Sequence, residues 1–264
     1  MKELFSLAIA ILTITRCFAE NILFLVYPTY SHFTGPANVG KFLRSQGHKV
    51  VVTAPTQLKD KLKDHGVNLL LYHCLGEYPE ERLLQNLIFK EYFATLSSIL
   101  QHIQMFLRGN QGLELLKNIG MKILKDAMLF EDIQDFNPDL IVLDSSPLAV
   151  MLTLIPYKLN TPFIMMGSVE LAQYIRAPII PTADPHFFLP YTDQMTFLQR
   201  LSNTIAHVLA YRINPLINPS VVSEYIADKP YISPIDLQAK AQLWIIRQHS
   251  VLGYNPPWKF HVYK

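Results

Sequence analysis

A series of three short strands separated by two helices opens the chain after its first twenty residues and restricts its fold most strongly. Residues 21–26 form a continuous apolar run rich in β-forming side chains, which suits a strand buried on both faces. Residues 49–53 and 67–72 are predicted as the next two strands. Helical spacing over 35–46 and 56–65, each stretch closed by a glycine, fills the gaps. Such a series requires parallel pairing through right-handed crossovers.

The rest of the chain returns to this alternation after a long helical insert over residues 80–131, which is broken near residues 109–112. A long proline-rich loop and a later proline-rich bend interrupt the second part. The strands predicted there are 139–143, 161–166 and 241–247, and the predicted helices are 147–157 and 192–214. Together they predict an α/β fold, a Rossmann-like parallel sheet with helices on both faces. The strand order is taken as 3-2-1-4-5.

Residues 1–19 have the pattern of a secretory signal peptide. Lys2 supplies the positive end, residues 4–14 are apolar, and Cys17 and Ala19 are small residues at the positions a signal peptidase reads. Cleavage before Glu20 is therefore expected. The alternative is that this run is a first buried helix or strand.

The composition argues against several classes of protein. The chain has 264 residues, is 50% hydrophobic and 17% charged, and has a net charge of +2, so a nucleic-acid partner is not expected. No stretch of about eighteen apolar residues follows the leader, so no membrane span is predicted. Cys74 is the only cysteine beyond the leader, which excludes an internal disulfide. It is either a small buried hydrophobe or a reactive thiol.

His32 and Asp144 are the candidate catalytic residues. His32 lies in a predicted polar-aromatic loop over 27–34 after the first strand, and Asp144 closes the fourth strand. In the assumed order these strands are neighbours, and their carboxyl ends meet at the switch point where ligands bind. A carboxylate that orients an imidazole can make it a general base. The alternatives are a surface histidine and an aspartate that only caps the following helix.

Other chemistry is weakly indicated. The sequence contains neither a Gly-x-Ser-x-Gly elbow nor a glycine-rich phosphate loop after the first strand, and its remaining histidines show no metal-ligand spacing. No metal site is therefore predicted. The apolar insert over 83–129 could wall a lipophilic pocket, with ordinary core packing as the alternative.

The ordered segments along the chain resemble a known family. They are the signal peptide, Ser31-His32-Phe33, the run Gly47-His48-Lys49-Val50-Val51-Val52, the segment around Asp144 with Pro147-Leu148-Ala149, the run Asp193-Gln194-Met195-Thr196-Phe197 with Arg200 and Asn203, Leu243-Trp244-Ile245-Ile246, and the Asn-Pro-Pro tail. In this order and spacing they resemble the N-terminal half of a UDP-glucuronosyltransferase, in the animal UDP-glycosyltransferase family with the GT-B fold.

The resemblance implies a role for each residue. His32 would deprotonate an acceptor hydroxyl, and Asp144 would orient His32 and balance the imidazolium. The acceptor oxygen would displace UDP from the anomeric carbon of the sugar with inversion. Ser31 would approach the donor phosphates. No cofactor is implied beyond the co-substrate, UDP-glucuronic acid or UDP-glucose, and the acceptor would be a small lipophilic molecule.

The resemblance also sets expectations for organisation and location. Residues 20–250 would be the acceptor-binding domain and residues 251–264 the start of an interdomain linker, with the donor-binding domain absent. The expected compartment is the endoplasmic reticulum lumen, and homo- or hetero-oligomers with full-length relatives are possible partners. The alternatives are a truncated, non-catalytic lumenal binding or regulatory module, and a chain cleared as misfolded because it exposes the face its partner domain normally covers.

Overall fold

A six-stranded parallel sheet forms the centre of the computed structural model, which describes residues 19–73, 111–167, 180–186, 189, 191–192, 194–212 and 217–246. The strands are β1 Asn21–Leu25, β2 Lys49–Pro55, β3 Asn68–Tyr72, β4 Leu140–Asp144, β5 Phe163–Gly167 and β6 Trp244–Ile246. Their spatial order is β3-β2-β1-β4-β5-β6, and all neighbouring strands run parallel. The predicted α/β class and the order 3-2-1-4-5 are confirmed, with β6 added beside β5.

Helices connect these strands, and several are short. They are α1 Tyr30–Ser45, α2 Lys59–Leu62, α3 Gln111–Lys125, α4 Ala127–Phe136, α5 Leu154–Leu159, α6 Phe197–Arg212, α7 Pro219–Tyr225 and α8 Pro234–Gln238. Two regions predicted as continuous helices are partly 3-10: turns at Thr56–Leu58 and Lys63–His65 flank α2, and a 3-10 helix at Pro147–Thr153 precedes α5.

Alternate side chains of β1 point into two separate cores, so helices must cover both faces of the sheet. Phe24 shares one core with Phe33 of α1, whereas Leu23 shares the other with Ile119 of α3 and Ile133 of α4. All five side chains are at most 4% exposed. Burial of each contributes about 1.5–3 kcal/mol, and the two cores together fix the sheet between its helical layers.

The winding direction reverses between β1 and β4. From β1 the chain winds outward to β2 and β3, and it then returns to β4 on the other side of β1. Leu23 accordingly lies opposite Val51 in the ladder with β2 and opposite Ile141 in the ladder with β4. At such a reversal the connections leave on opposite sides, which opens a crevice at the carboxyl ends of the two strands.

Helix α1 begins earlier than the sequence pattern predicts. The predicted loop is wrong from Tyr30 onward, because α1 starts there and carries His32 in its first turn. The polar-aromatic start and the Gly35-Pro36 pair both lower helix propensity, and Pro36 has no N–H to donate to the His32 carbonyl. Packing of Phe33 against the β1 core overrides these local preferences.

Helices α7 and α8 lie where only a proline-rich bend was predicted. Each begins with proline in its first turn, where the missing N–H breaks no intrahelical hydrogen bond. Asn218 caps α7, since its side-chain oxygen accepts a hydrogen bond from the Ser220 N–H at 3.2 Å. The dipeptides Asn218-Pro219 and Ser233-Pro234 therefore start helices here, although such dipeptides also occur in turns.

Several predicted features lie outside the described residues: the leader over 1–18, Cys74, insert residues 80–110, Asp193 and the linker over 251–264. They stay predictions. In the part of the chain that the structure describes, no helix has both the length and the apolar character needed to cross a bilayer.

Candidate active site

The carboxyl ends of β1 and β4 bring His32 and Asp144 together. After β1, Val26 and Tyr27 continue as buried chain, which then turns into α1 and places His32 in the first helical turn. Asp144 is the last residue of β4, the neighbour of β1. The side chains of two residues 112 positions apart therefore share one edge of the sheet.

The two side chains form a direct hydrogen bond. The Nδ1 atom of His32 lies 2.5 Å from Oδ2 of Asp144, whereas ordinary charge-assisted N–H···O bonds measure about 2.7–2.9 Å. The aspartate side chain is 6% exposed and the histidine side chain is 31% exposed. The carboxylate is thus nearly sealed from solvent, while part of the imidazole ring remains open to an incoming molecule.

Two backbone N–H groups also donate to the Asp144 carboxylate. Tyr27 N–H donates to Oδ2 at 3.2 Å, and Ser146 N–H donates to Oδ1 at 2.7 Å. Val26 N–H in turn donates to Thr53 Oγ1 at 3.2 Å, which ties the end of β1 to β2. A buried carboxylate requires such donors, and here they fix its position from both sides.

This bonding pattern determines the state of the imidazole. An ionised carboxylate only accepts hydrogen bonds, so the proton of the shared bond belongs to Nδ1 of His32. In the neutral ring Nε2 then carries no proton and is the acceptor. The Tyr27 ring meets the His32 ring edge-on, with centroids 5.9 Å apart, and restricts its rotation. In this tautomer Nε2 is the ring nitrogen that can accept a proton from an incoming group.

Ser31, the third predicted site residue, lies beside this pair without joining it. It is exposed in the first turn of α1, at the helix end that carries the partial positive charge. The position is compatible with an anion but does not identify one.

The predicted apolar pocket is only partly covered by described residues. Four described apolar residues of the insert, Ile119, Ile123, Leu124 and Leu129, are at most 4% exposed and belong to the main core. These four residues pack in the core, and the pocket itself stays a prediction. Residues 83–110 lie outside the described part of the chain.

Sequence reasoning missed the groups that hold Asp144. The Tyr27 N–H carries no side-chain signal, so no pattern could have revealed it. The Ser146 contact was detectable, because an aspartate side chain often accepts from the backbone N–H two residues later in an Asx turn. Among the described residues, no cluster of three or more His, Cys, Asp or Glu side chains could hold a metal ion.

A shallow groove of about 460 Å³ lies at the opposite end of the sheet, beside the amino ends of β2 and β3. Its lining includes Arg44, His48, Lys49 and Asn68. Arg44 Nη1 already donates to the Gly66 carbonyl at 2.9 Å, and His48 Nδ1 accepts from the Glu20 N–H at 3.2 Å. Arg44 and His48 therefore already make structural hydrogen bonds within the chain. The groove is separate from the His32–Asp144 pair.

The parallel sheet defines a Rossmann-like α/β domain that carries a hydrogen-bonded histidine–aspartate pair at its switch point. The family model for UDP-glucoronosyl and UDP-glucosyl transferases matches residues 22–262, and the chain belongs to that family. Its members are UDP-glycosyltransferases, enzymes of the transferase class.

Individual relatives are distant. The chain is 26% identical over 258 residues to human UDP-glucuronosyltransferase 1A9, an alignment that covers 93% of this chain and 47% of that protein. Among solved structures, a spinosyn forosaminyltransferase has a TM-score of 0.48 at 14% identity, covering 86% of this chain and 45% of its own. A calicheamicin glycosyltransferase has a TM-score of 0.47 at 14% identity, with coverage of 87% and 46%. The chain thus spans about half the length of each.

Proposed function

We propose that this chain is the acceptor-binding, catalytic-base half of a UDP-glycosyltransferase that transfers a sugar to a hydroxyl of a small lipophilic molecule. One observation carries the proposal: His32 Nδ1 lies 2.5 Å from the buried Asp144 carboxylate at the switch point of the sheet. Membership in a UDP-glycosyltransferase family supports the same chemistry. The alternative of a non-catalytic binding or regulatory module is not favoured by that membership.

The proposed reaction is a single displacement at the anomeric carbon. The acceptor hydroxyl gives its proton to His32 Nε2 while its oxygen forms the new glycosidic bond. The bond between that carbon and the UDP oxygen breaks on the opposite side, so the configuration inverts and UDP leaves with the electron pair. Asp144 stabilises the imidazolium, and the proton leaves to solvent afterwards. General-base assistance of this kind accelerates reactions about 10²–10⁴-fold.

The donor is proposed to be UDP-glucuronic acid or UDP-glucose, bound mainly by a second domain. On this chain, Ser31 and the amino end of α1 would face the donor phosphates, because a helix N-terminus attracts anions. The further proposals are a signal peptide over 1–19, a domain over 20–250, a linker from 251, residence in the endoplasmic reticulum lumen, and oligomers with full-length relatives.

The test uses a fusion of the chain to the donor-binding half of a family member, assayed with UDP-glucuronic acid and UDP-glucose against a panel of phenols and steroids. His32→Ala and Asp144→Asn are each expected to lower kcat by about 10²-fold or more. His73→Ala and Asp135→Asn, which change the same residue types at exposed positions outside the site, are matched controls. Sugar transfer that survives both site variants would rule out the assigned roles.

A further inference from the structure

We propose that Gly167 is a positioning residue for the His32–Asp144 pair. Its missing side chain leaves room for Ser145, and the seated Ser145 holds Asp144 in the geometry that His32 needs. The inference rests on the function proposed above, since the position of Asp144 matters for transfer only if the pair acts as a base.

A side chain at position 167 cannot be added without a shift of Ser145. A Cβ atom on Gly167 would lie 2.3 Å from Ser145 Oγ, and 3.3 Å from both the Cβ and the backbone N of Ser145. Ser145 is 3% exposed, so packing restricts the directions in which its hydroxyl can move. A larger residue at 167 must therefore turn the Ser145 hydroxyl away from its packed position and also press on the Ser145 Cβ and backbone N, which lie at 3.3 Å.

A displacement of Ser145 reaches Asp144 directly. Ser145 follows Asp144 in the chain and precedes Ser146, whose N–H donates to Asp144 Oδ1 at 2.7 Å. Ser145 N–H donates to the Met166 carbonyl at 3.0 Å, and Asp144 lies opposite Met166 in the ladder. The ends of β4 and β5 are therefore joined where the carboxylate is held, so a shift at 145 moves the carboxylate and one of its donors.

Gly167 differs from the other glycines for which surroundings are described. A Cβ on Gly120 would meet Met151 Cβ at 3.7 Å, an ordinary contact, and a Cβ on Gly35 would meet nothing within 4 Å. Gly40 is tighter, with Val50 Cγ1 at 3.1 Å, but it lies between α1 and β2. Among these glycines, the contact shorter than 3.0 Å is the one next to the candidate site.

The expected effect on chemistry is large because the Ser145 segment carries the carboxylate. A shift of about 1 Å away from His32 would lengthen the 2.5 Å contact to about 3.5 Å, beyond the ordinary range of a hydrogen bond. A misplacement of about 1 Å in a catalytic group can reduce a rate about 10²-fold. Gly167→Ala is therefore expected to lower kcat of the fused enzyme about 10²-fold and to leave KM for the UDP-sugar nearly unchanged.

The decisive experiment observes the histidine itself, in the full chain labelled with ¹⁵N-histidine. His32→Gln assigns the Nδ1–H resonance of His32 in proton–nitrogen NMR spectra. Gly167→Ala is expected to remove or strongly shift this resonance and to change the pH titration of the ring, whereas Gly120→Ala leaves both unchanged. A folded Gly167→Ala chain with the His32 resonance and titration unaltered overturns the proposal.

A rescue variant separates positioning from general damage. Ser145→Ala removes the hydroxyl that causes the 2.3 Å contact and leaves the 3.3 Å contacts. Ser145→Ala/Gly167→Ala is therefore expected to recover the His32 resonance, and a persistent loss counts against the proposed contact. If Gly167→Ala does not fold, Ser145→Thr, which adds one methyl group to the same contact, is measured by the same criterion.

The NMR measurement and the kinetic assay test the positioning role and the proposed function separately. If Gly167→Ala shifts the His32 resonance but the fused enzyme shows no His32-dependent transfer, the positioning holds and the proposed function is wrong. If transfer depends on His32 while Gly167→Ala changes neither kcat nor the resonance, the function stands and the positioning role is wrong.

Discussion

Asp144 accepts a hydrogen bond from Ser146 N–H through Oδ1, at 2.7 Å, on the side of its carboxylate away from His32. The same carboxylate accepts from the Tyr27 N–H and lies 2.5 Å from His32 Nδ1 through Oδ2. One buried side chain therefore organises the end of β1, the start of α1 and the turn after β4. Its loss should affect stability as well as chemistry.

Asp144→Ala is expected to destabilise the chain by about 2–4 kcal/mol, because it leaves two buried N–H donors, those of Tyr27 and Ser146, without an acceptor. Asp144→Asn should cost less, about 1–2 kcal/mol, because its amide oxygen still accepts from one of them. Urea unfolding of both variants measures the difference, with Asp135→Asn as the exposed control. Equal losses for the two variants would contradict this explanation.

Gly35→Ala and Gly40→Ala should have unequal effects on stability, although both lie in α1. Alanine at 35 meets nothing within 4 Å beyond its chain neighbours, and its gain in helix propensity of about 0.5–1 kcal/mol should be offset by crowding against Pro36, which follows it. Alanine at 40 must push against Val50, which is 1% exposed, and should destabilise the chain more than alanine at 35 does. Thermal unfolding of the two variants, compared with the unchanged chain, gives both values. Equal effects of the two variants would show that α1 is not seated on β2 as described.

The capping of α7 by Asn218 should contribute measurably to stability. Its side-chain oxygen accepts from both the Ser220 N–H at 3.2 Å and the Ser220 hydroxyl at 2.7 Å. Asn218→Ala should therefore cost about 1 kcal/mol, and Asn218→Asp, which retains the acceptor, should cost little. Both are read from the midpoint of denaturant unfolding. No loss in the alanine variant would argue that Pro219 alone starts the helix.

His186 should make the stability of the chain fall with acid. Burial, and to a lesser extent the neighbouring His207, lowers the pKa of His186 from 6.5 to about 4. Between these values the unfolded chain binds more protons at this residue than the folded chain. The free energy of unfolding is therefore at its full value above pH 6.5 and declines as the pH falls towards 4, by up to about 3 kcal/mol.

Urea unfolding from pH 7 to pH 4 measures this dependence. His186→Gln should reduce the slope in this pH window, whereas His73→Gln, which removes an exposed histidine, should leave it unchanged. A slope that is identical in the unchanged chain and in His186→Gln would show that His186 is not held neutral by its surroundings.

Much of the architecture was accessible from local pattern, because buried strands require apolar runs and the crossovers between them require helices of sufficient length. The boundaries were less accessible. The start of α1 at Tyr30 depends on Phe33 packing against the β1 core, and the helices after Asn218 and Ser233 depend on caps that also occur in turns. In each case a contact distant in sequence, or one cap, decided between two locally reasonable structures.

From its sequence alone, this protein can be assigned a parallel α/β sheet and two residues worth pairing, His32 and Asp144, since both follow from where apolar runs stop. Only the tertiary structure decided that their atoms meet, that Tyr27 and Ser146 supply the donors, and that Gly167 leaves space for Ser145. The physical reason is that strand order places residues on one edge of a sheet. The remaining few ångströms depend on helix seating, turn geometry and side-chain packing, which sequence periodicity does not encode.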